Sequence, residues 1–455
     1  MSFFLRAILF VVVFCALLSL KPFSLAHVAG QDPNPRLSQD ASATQNENPS
    51  GLQENTVTHY TLPPDLLTKA HGLYISQIWL RLASGVYGLI VLLVMLRWRW
   101  VGQFRTWAEG ASRNSFVQAA IIIPLLVVSF SVLTLPPDMV GQHISRKYGI
   151  SVQSWPSWFQ DWAVGLLLTV VVGTILGWIL YAVIRRSPRR WWLWFWVAVV
   201  PISAFLTFIA PLVIDPLFNK FVPLQSTHAE LVSELEKVAH RGGLDIPPSR
   251  MFEMKASEKL TGSNAYVTGF GASKRVVVWD TAIKKMTPHE LLFVFGHEMG
   301  HYVLGHILYG FLATMALFFV MFYLMYRIGR WAMNRWGAGL GIRGLDDWAS
   351  LPVLLLIISV LAFLSEPIGN AYSRHLEHQA DQYGLEVVHG VFPDSGQVAA
   401  RSFQKLGEEW LEYPYASKAA VFWAWSHPPI GDRIEFSLNY DPWGNGREPQ
   451  FVKSQ

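Results

Sequence analysis

The chain has 455 residues, of which 52% are hydrophobic and 20 are tryptophan, and its mean hydropathy is +0.29. This composition is typical of a polytopic membrane protein rather than of a soluble multidomain one. The net charge of +4 is too small to indicate a nucleic-acid partner, and the single cysteine, Cys15, excludes an intrachain disulfide. We therefore expect a lipid bilayer around the protein and no nucleic acid bound to it.

The N-terminal region is expected to contain no folded domain. Residues 1–26 combine Arg6 with an apolar run at 7–20 and a small-x-small sequence at 24–26, a pattern typical of a secretory signal peptide. An uncleaved first transmembrane helix is the alternative. Residues 27–64 are rich in Gln, Asn, Ser, Asp and Pro, and we predict a disordered linker there.

Six long apolar segments follow this linker. Each is long enough, or nearly so, to cross the hydrocarbon core of a bilayer as a helix. Tryptophans flank several of them, as in the aromatic belts at membrane interfaces. The segments are residues 77–96, 116–135, 162–184, 191–214, 307–326 and 351–368.

Arginine is concentrated in three short loops that this topology places on one side of the membrane. The opposite short loop, residues 136–161, carries only Arg146 and Lys147. The positive-inside rule therefore predicts that the arginine loops are cytoplasmic and that the polar segments 215–306 and 369–455 are extracytoplasmic. With the export signal, this indicates a bacterial inner membrane. The arginines are Arg97, Arg99, Arg105 and Arg113, then Arg185, Arg186, Arg189 and Arg190, then Arg327, Arg330, Arg335 and Arg343.

The polar segment 215–306 is predicted to combine helices with a small sheet. Residues 227–240 have the spacing of an amphipathic helix whose buried side carries Leu231, Leu235 and Val238. Alternating or apolar runs bounded by turn residues predict three strands, with a Gly-rich turn between the last two. The strands are residues 249–254, 265–270 and 274–279, and the turn is residues 269–273.

Residues 295–306 read FGHEMGHYVLGH and contain the sequence His-Glu-x-x-His at His297, Glu298 and His301. On a helix, residues four apart share a face, so His297 and His301 can bind one metal ion while Glu298 reaches a water on that metal. The sequence TPHE at 287–290 predicts the start of this helix. The pattern is that of a zinc-dependent peptidase, and a chance match is the alternative.

A catalytic zinc ion usually takes a third protein ligand and keeps one position open. Residues 370–381, NAYSRHLEHQAD, place Glu377 and Asp381 four apart on one helix face. Glu377 is then the predicted third ligand, and Asp381 the acceptor of an N–H group from a ligand histidine. A solvated acidic helix face is the alternative. His375 and His378 lie on other faces, and we expect one Zn²⁺ ion per chain without them.

Four motifs in sequence order resemble the membrane zinc metalloproteases of the CAAX prenyl endopeptidase family, the a-factor-converting type. They are SNAYVTGFGASKRVVVWDT, HEMGH, SRHLEHQAD and SHPPIGDRI, and the similarity spans about residues 67–438. The resemblance implies a mainly α, polytopic membrane protein with a gluzincin-like zinc metalloprotease domain that contains a small β-sheet. It also implies a metalloendopeptidase that hydrolyses peptide bonds.

The resemblance further implies that a strand before the metal helix binds substrate. An exposed strand edge can hold an extended peptide through main-chain hydrogen bonds, independently of its side chains. The residues that match the family's substrate-binding stretch are Asn264, Ala265 and Tyr266. The alternative is an ordinary core strand preceded by a turn asparagine.

Two residues near the C-terminus match the family's HP-x-x-x-x-R pattern, His427 and Arg433. His427 is expected to donate to the oxyanion of the tetrahedral intermediate, although it can equally be a capping residue before prolines. Arg433 is expected to orient Glu377 or Asp381 through a charge-assisted hydrogen bond, and a surface ion pair is the alternative.

The substrate is the least determined property. The resemblance implies prenylated CAAX peptides, but the signal peptide and loop charges are bacterial, and such proteins are not expected there. A broad quality-control endopeptidase is therefore an equal alternative, and a non-enzymatic membrane protein with a structural zinc site is a third. A structural site needs a fourth ligand, for which His306, His389 and His427 are the candidates. Eukaryotic members of the family have a cytosolic site, opposite to the charge-based prediction.

These inferences predict a chain whose protease domain is divided by membrane helices. After residues 1–26 and 27–64, we expect a four-helix transmembrane region at 65–214 and a zinc protease domain with the HExxH helix at 215–306. Two transmembrane helices at 307–368 and the C-terminal part of the protease domain, with the third zinc ligand, at 369–455 complete the chain.

Overall fold

A computed structural model describes residues 56–269, 274–444 and 446–452 of the chain. The predicted signal peptide, most of the predicted linker and most of the predicted Gly-rich turn lie outside the described residues. The described part is mainly α-helical and contains one four-stranded sheet. This is the predicted fold class.

Six helices of the described part are long and apolar enough to cross a membrane, and each overlaps one of the predicted apolar segments. Many of their buried side chains form one large core, while many other large apolar side chains are exposed, as expected for lipid-facing positions. Pro124 and Pro201 lie inside two of these helices, which membrane proteins tolerate. The helices before residue 210 are α1 (Pro64–Arg97), α2 (Trp100–Ala111), α3 (Ser115–Leu133), α4 (Leu135–Lys147), α5 (Trp155–Arg186) and α6 (Trp191–Phe208).

The sheet lies in the polar segment between the fourth and fifth membrane helices. Its strand order is β1-β2-β4-β3, in which β2 and β4 are parallel and the two outer pairs are antiparallel. All three predicted strands are present. The additional strand β1 was not predicted because three residues are too few to show alternation. The strands are β1 (Phe221–Pro223), β2 (Met251–Met254), β3 (Ala265–Thr268) and β4 (Arg275–Trp279).

Six α-helices of the described part lie between the fourth and fifth membrane helices, and they include the predicted amphipathic helix and the predicted metal helix. The amphipathic helix buries Leu235 and Val238, as its spacing predicted, whereas the third predicted residue, Leu231, is only partly buried. The metal helix begins with a capping box, because Thr287 and Glu290 each accept a hydrogen bond from the other's backbone N–H. The helices are α7 (Ala210–Val213), α8 (Asp215–Phe218), α9 (Leu224–Thr227), α10 (Ala229–Arg241), α11 (Asp280–Lys285) and α12 (Pro288–Val303).

The last membrane segment and the helix of the third predicted ligand form one continuous helix of 38 residues, α14. The predicted boundary between residues 368 and 369 therefore falls inside a helix, because Pro367 does not end it. Glu377 is consequently joined rigidly to the membrane region. The helices after residue 305 are α13 (His306–Ala332), α14 (Leu351–Val388), α15 (Ser395–Trp410), α16 (Lys418–Ala424) and α17 (Ile430–Asn439).

The described end of the predicted disordered linker is ordered, which corrects that prediction for this stretch. The backbone N–H and C=O groups of Val57 both bond to the Gln397 side chain of α15, at 3.0 Å each. Tyr60 is buried, and its hydroxyl donates to the Glu412 carbonyl at 2.7 Å. Composition did not reveal this docking because the partners lie more than 300 residues later in the chain.

The three arginine-bearing loops meet at one end of the helical bundle. Arg105 of the first loop forms an ion pair with Asp347 of the third. Arg185 of the second loop donates to the Asp346 carbonyl of the third at 3.3 Å. The loops therefore lie on one side, as the predicted topology requires, and the sheet and metal helix lie beyond the other ends of the membrane helices.

Candidate metal centre

The two helices that carry the predicted ligands pack closely because glycines face each other between them. A Cβ atom added to Gly384 of α14 would lie 3.0 Å from the His297 backbone nitrogen, and one added to Gly296 of α12 would lie 2.7 Å from Val387 Cγ1. Any larger residue at Gly384 would therefore push the helices apart. This close approach brings His297 and Glu377 together although they are far apart in sequence.

The side chains of His297, His301 and Glu377 converge on one point. The Nε2 atoms of the two histidines are 3.3 Å apart. Each carboxylate oxygen of Glu377 faces one of these nitrogens, at 3.4 Å for His297 and 3.5 Å for His301. A tetrahedral zinc ion with bonds of about 2.0–2.1 Å places its ligand atoms about 3.3–3.4 Å apart. The geometry therefore fits a zinc ion. These three residues are the potential metal-binding cluster in the described part of the chain.

The electrostatics of this cluster also favour a cation. Oε2 of Glu377 is buried and has no hydrogen-bond partner among the described residues. Burial lowers the pKa of His297, but the neighbouring carboxylates of Asp381 and Glu377 outweigh that effect and raise it to about 9. The carboxylates of Glu377 and Asp381 both face one guanidinium, that of Arg433. A bound metal cation would take the place of the proton that these carboxylates stabilise on His297.

Asp381 and Arg433 lie behind His297, on the side away from the cluster. Oδ1 of Asp381 is 2.8 Å from Nδ1 of His297, and both carboxylate oxygens accept from Arg433, at 2.9 and 2.5 Å. Arg433 is only 8% exposed, so this is not a surface ion pair, and its Nη2 is 3.8 Å from Glu377. The bidentate pair fixes the carboxylate, which in turn fixes the imidazole.

The other histidine of the motif has a support that the sequence did not reveal. Nδ1 of His301 is 3.0 Å from Nδ1 of His306, whose Nε2 is 3.2 Å from Oε1 of Gln379. Both nitrogens of His306 therefore face these partners rather than the metal position. His306 follows His301 by five residues, a spacing that would not bring the two side chains into contact on a straight helix. A turn at Gly305 between the two helices makes the contact possible.

His427 lies against the third predicted ligand. Its Nε2 is 3.3 Å from Oε1 of Glu377, and its Nδ1 is 3.1 Å from the hydroxyl of Ser426. Burial lowers the pKa of His427 to about 3, so the imidazole is neutral near pH 7. The capping alternative fails, because α17 starts three residues later with Pro429 as its N-cap. Ser426 is the first residue of the SHPPIGDRI motif, and the sequence did not predict its contact with His427.

Glu298 follows His297 on α12 and is half-buried. Within the residues that the structure describes, its carboxylate has no hydrogen-bond or ion-pair partner. It therefore differs from the other carboxylates of the centre, Glu377 and Asp381, which are held in place. An unpaired carboxylate next to a metal ligand is suited to proton transfer.

The predicted substrate-binding residues lie at the edge of the sheet beside α12. Strand β3 pairs only with β4 in the described part of the chain, so its outer edge has no strand partner. Asn264 accepts from the N–H group of Ala265 at 2.9 Å, and the Tyr266 hydroxyl is 3.4 Å from Oδ2 of Asp215. The side chains of Asn264 and Tyr266 thus have partners within the protein, and the strand backbone remains the candidate contact.

The remaining histidines near the motifs lie away from the cluster. His375 is exposed, and His378 packs on Phe436 with ring centroids 4.4 Å apart. His389 stacks on Trp443 at 3.5 Å. Among the described residues, none of these supplies the fourth ligand that a closed structural site requires.

Comparison with known proteins identifies the family. Residues 225–440 match peptidase family M48, and residues 45–220 match the CAAX prenyl protease N-terminal region, described as five membrane helices. The uncharacterized metalloprotease YhfN of Bacillus subtilis (strain 168) is 35% identical over 333 residues, which cover 73% of this chain and 76% of the relative.

More distant relatives agree. The CAAX prenyl protease 1 homolog of Oryza sativa subsp. japonica is 28% identical over 345 residues, 74% of this chain and 77% of the relative. The crystal structure of S. mikatae Ste24p shares the fold, with a TM-score of 0.72, 22% identity and coverage of 83% of this chain and 90% of that one. The chain therefore belongs to peptidase family M48 and is a membrane metalloprotease of the group that includes the CAAX prenyl proteases.

Proposed function

We propose that the protein is a zinc-dependent endopeptidase with one zinc ion per chain, held by His297, His301 and Glu377. The observation that carries this proposal is the set of ligand-atom distances of 3.3–3.5 Å around a buried carboxylate oxygen that has no hydrogen-bond partner among the described residues. Elemental analysis of the purified protein should give about one zinc per chain. A different metal in the protein would refute the zinc assignment. Zinc retained after substitution of all three residues would refute this ligand set.

The chain's own residues then divide the work of peptide hydrolysis. When bound, zinc supplies Lewis acidity to a water molecule and to the scissile carbonyl. Glu298 accepts the proton of the attacking water and returns it to the leaving amine. His427 donates a hydrogen bond from Nε2 to the developing oxyanion, provided that the Ser426 hydroxyl donates to Nδ1 and leaves the proton on Nε2.

Residues behind the ligands orient them. Asp381, held by Arg433, accepts from Nδ1 of His297 and directs its Nε2 towards the metal. His306, backed by Gln379, does the same for His301 without a charge. One imidazole thus has an anionic support and the other a neutral one.

Strand β3 is the proposed docking site for the substrate backbone, with Asn264, Ala265 and Tyr266 as contacts. Its unpaired edge beside α12 supports this proposal, because main-chain hydrogen bonds hold a peptide extended whatever its sequence. A peptide with an N-methylated backbone on one side of the scissile bond should then bind more weakly than its parent. Equal KM values for the two peptides would contradict strand addition.

Prenylated C-terminal peptides are the first candidate substrates, because relatives in eukaryotes are named CAAX prenyl protease 1 homolog. A broad membrane endopeptidase is the second candidate, favoured by the bacterial pattern of the signal sequence and loop charges. The test compares a farnesylated CAAX peptide with the same unmodified peptide, with and without a zinc chelator. Chelator-sensitive cleavage of only the farnesylated peptide supports the first candidate, and equal cleavage of both supports the second.

The proposed division into domains is that of the sequence analysis, except at residue 368, where α14 is continuous.

The proposed location is the bacterial inner membrane, with the metal centre outside the cytoplasm. In a Cys15→Ser background, Lys237→Cys on α10 and Arg189→Cys in an arginine loop give two exposed labelling sites. An impermeant maleimide added to spheroplasts should label position 237 only, and labelling of position 189 only would place the centre in the cytoplasm.

A further inference from the structure

Helix α14 carries two polar side chains, Asn370 and Arg374, that have no part in the chemistry above. They precede Glu377 and Asp381 with spacings of four, three and four residues, so all four side chains lie along one stripe of the helix. Asn370 and Arg374 both donate hydrogen bonds to backbone carbonyls of residues 421–425. One helix face therefore contacts both the metal position and the segment that leads into His427.

The contacts to this segment are specific hydrogen bonds. Nη1 of Arg374 donates to the carbonyl oxygen of Val421 at 2.9 Å and to that of Trp425 at 2.5 Å. Nδ2 of Asn370 donates to the carbonyl oxygen of Trp423 at 2.6 Å. The C-terminal carbonyls of a helix lack partners within that helix, and here side chains from α14 supply them.

The segment that receives these bonds is short, and its other contacts are apolar, such as Trp423 on Phe363 of α14 with ring centroids 5.0 Å apart. Helix α16 has seven residues, and none of them is buried. An isolated helix of this length is not stable in water without tertiary contacts. Trp425, just after it, packs against Tyr74 of α1. Apolar packing holds the side chains of this segment, and the hydrogen bonds from α14 fix its main chain at the end of α16.

His427 lies in a short, stiff stretch between two anchored points. On one side is Trp425, held by Arg374, and on the other the N–H group of Ile430 donates to Oε1 of Glu412 at 2.7 Å. Prolines at 428–429 restrict the backbone of the residue before them as well as their own. Fixing both ends of this stretch therefore determines where the imidazole points.

We infer that Arg374, assisted by Asn370, is a positioning residue that holds His427 against the metal centre. The inference rests on the proposed role of His427 as donor to the oxyanion. Because Arg374 and Glu377 project from one rigid helix, the donor and the metal ligand keep a constant separation. Neither Arg374 nor Asn370 touches the reacting atoms in this scheme.

The test uses the full-length, zinc-loaded protein with Arg374→Met, which keeps an unbranched side chain and removes the donors. Hydrogen exchange of backbone amides in residues 421–427, followed by mass spectrometry, should become faster, while exchange in α12 and zinc content stay unchanged. The kcat for an unmodified peptide should fall about tenfold with KM within about twofold. Unchanged exchange in 421–427 would overturn the inference.

A double-mutant cycle with His427→Ala shows whether the effect passes through the imidazole. His427→Ala alone should lower kcat by about 10²-fold, and adding Arg374→Met should then change kcat by less than about twofold. If the two effects multiply, or if Arg374→Met raises KM alone, Arg374 acts on substrate or elsewhere and the inference is wrong. Full activity of His427→Ala together with faster exchange in Arg374→Met would support the anchoring and refute the proposed role of His427.

Two further variants keep the test decisive if Arg374→Met does not fold. Arg374→Lys retains one donor group and should restore part of kcat, and Asn370→Ala removes one bond and should give a smaller loss of kcat in the same exchange pattern. His375→Ala is the matched control, because His375 is the exposed neighbour of Arg374 on α14. An equal loss in His375→Ala would show that any change in this turn lowers activity and would overturn the inference.

Discussion

Two buried aspartates, each paired with arginine, lie near opposite ends of α14. Asp347 is 5% exposed, forms an ion pair with Arg105 and accepts from the backbone N–H of Arg343 at 2.9 Å. Asp381 is 1% exposed and pairs with Arg433, but it also faces Nδ1 of His297 at 2.8 Å. At a rise of about 1.5 Å per residue, about 45 Å of helix separates them.

The difference between the two sites lies in the third partner. The partners of Asp347 are guanidinium and backbone groups, which tie the arginine loops together. The imidazole beside Asp381 has a second nitrogen, and that nitrogen faces the metal position. A buried carboxylate–arginine pair is thus a structural element in both places, and the histidine connects only one of them to chemistry.

The largest expected effect separates chemistry from stability at the metal end. Glu298→Gln removes the base but keeps the shape of the side chain, so kcat should fall by about 10³-fold. Zinc content and the thermal unfolding midpoint should not change, because Glu298 has no partner in the described part of the structure. Wild-type turnover at normal zinc content would rule out Glu298 as the base.

The next effect contrasts the two aspartates directly. Asp381→Asn should weaken zinc binding by about 10–100-fold, because the ligand His297 loses its anionic support. The measurement is zinc affinity of the metal-free protein by competition with a chelator. Asp347→Asn is the matched control and should leave the affinity within about twofold. Equal losses in both variants would mean that the metal site responds to general destabilisation.

Asp347→Asn should in turn lower stability without touching chemistry. The substitution leaves Arg105 partly buried without its anion, whereas the other arginine partner, Arg343, is 58% exposed. We therefore expect the free energy of unfolding to fall by about 2 kcal/mol, less than for a fully buried ion pair. Chemical unfolding in detergent measures the change, and kcat per folded molecule serves as the control. A stability equal to that of the wild type would show that the loop end does not depend on this ion pair.

The smallest expected effect concerns the neutral support of His301. His306→Ala should weaken zinc binding by about tenfold or less, since neutral hydrogen bonds are weaker than charge-assisted ones. His306→Asn keeps an acceptor near the position of Nδ1 and should recover part of the affinity. If His306→Ala lowered the zinc affinity more than Asp381→Asn does, His306 and not Asp381 would be the stronger support of the metal site.

Local features of the fold and site were predictable from the sequence. The capping box at Thr287 and the four-residue spacing of His297 and His301 depend only on helix geometry, so residues close in sequence determined them. The six membrane segments followed from composition and length, and the alternating runs predicted three of the four strands. The prediction of disorder up to residue 64 was wrong over the docked stretch at Val57 and Tyr60, because its partners lie far along the chain.

Contacts between distant residues required the tertiary structure. Gly296 and Gly384 let α12 and α14 approach, and only this packing decides that Glu377 meets the histidines. The support of His301 by His306 depends on the turn at Gly305, and the anchoring of residues 421–425 depends on α14 continuing past Pro367.

The sequence by itself determined the kinds of groups present and their spacing within each helix, because those follow from a repeat of about 3.6 residues per turn. It therefore indicated a metalloprotease and predicted which residues form its metal centre. Only the tertiary structure decided which of these residues touch, because distances between helices depend on how side chains pack. That packing placed Asp381 against His297, and it left Asp347, with a similar arginine pair, as a tie between loops.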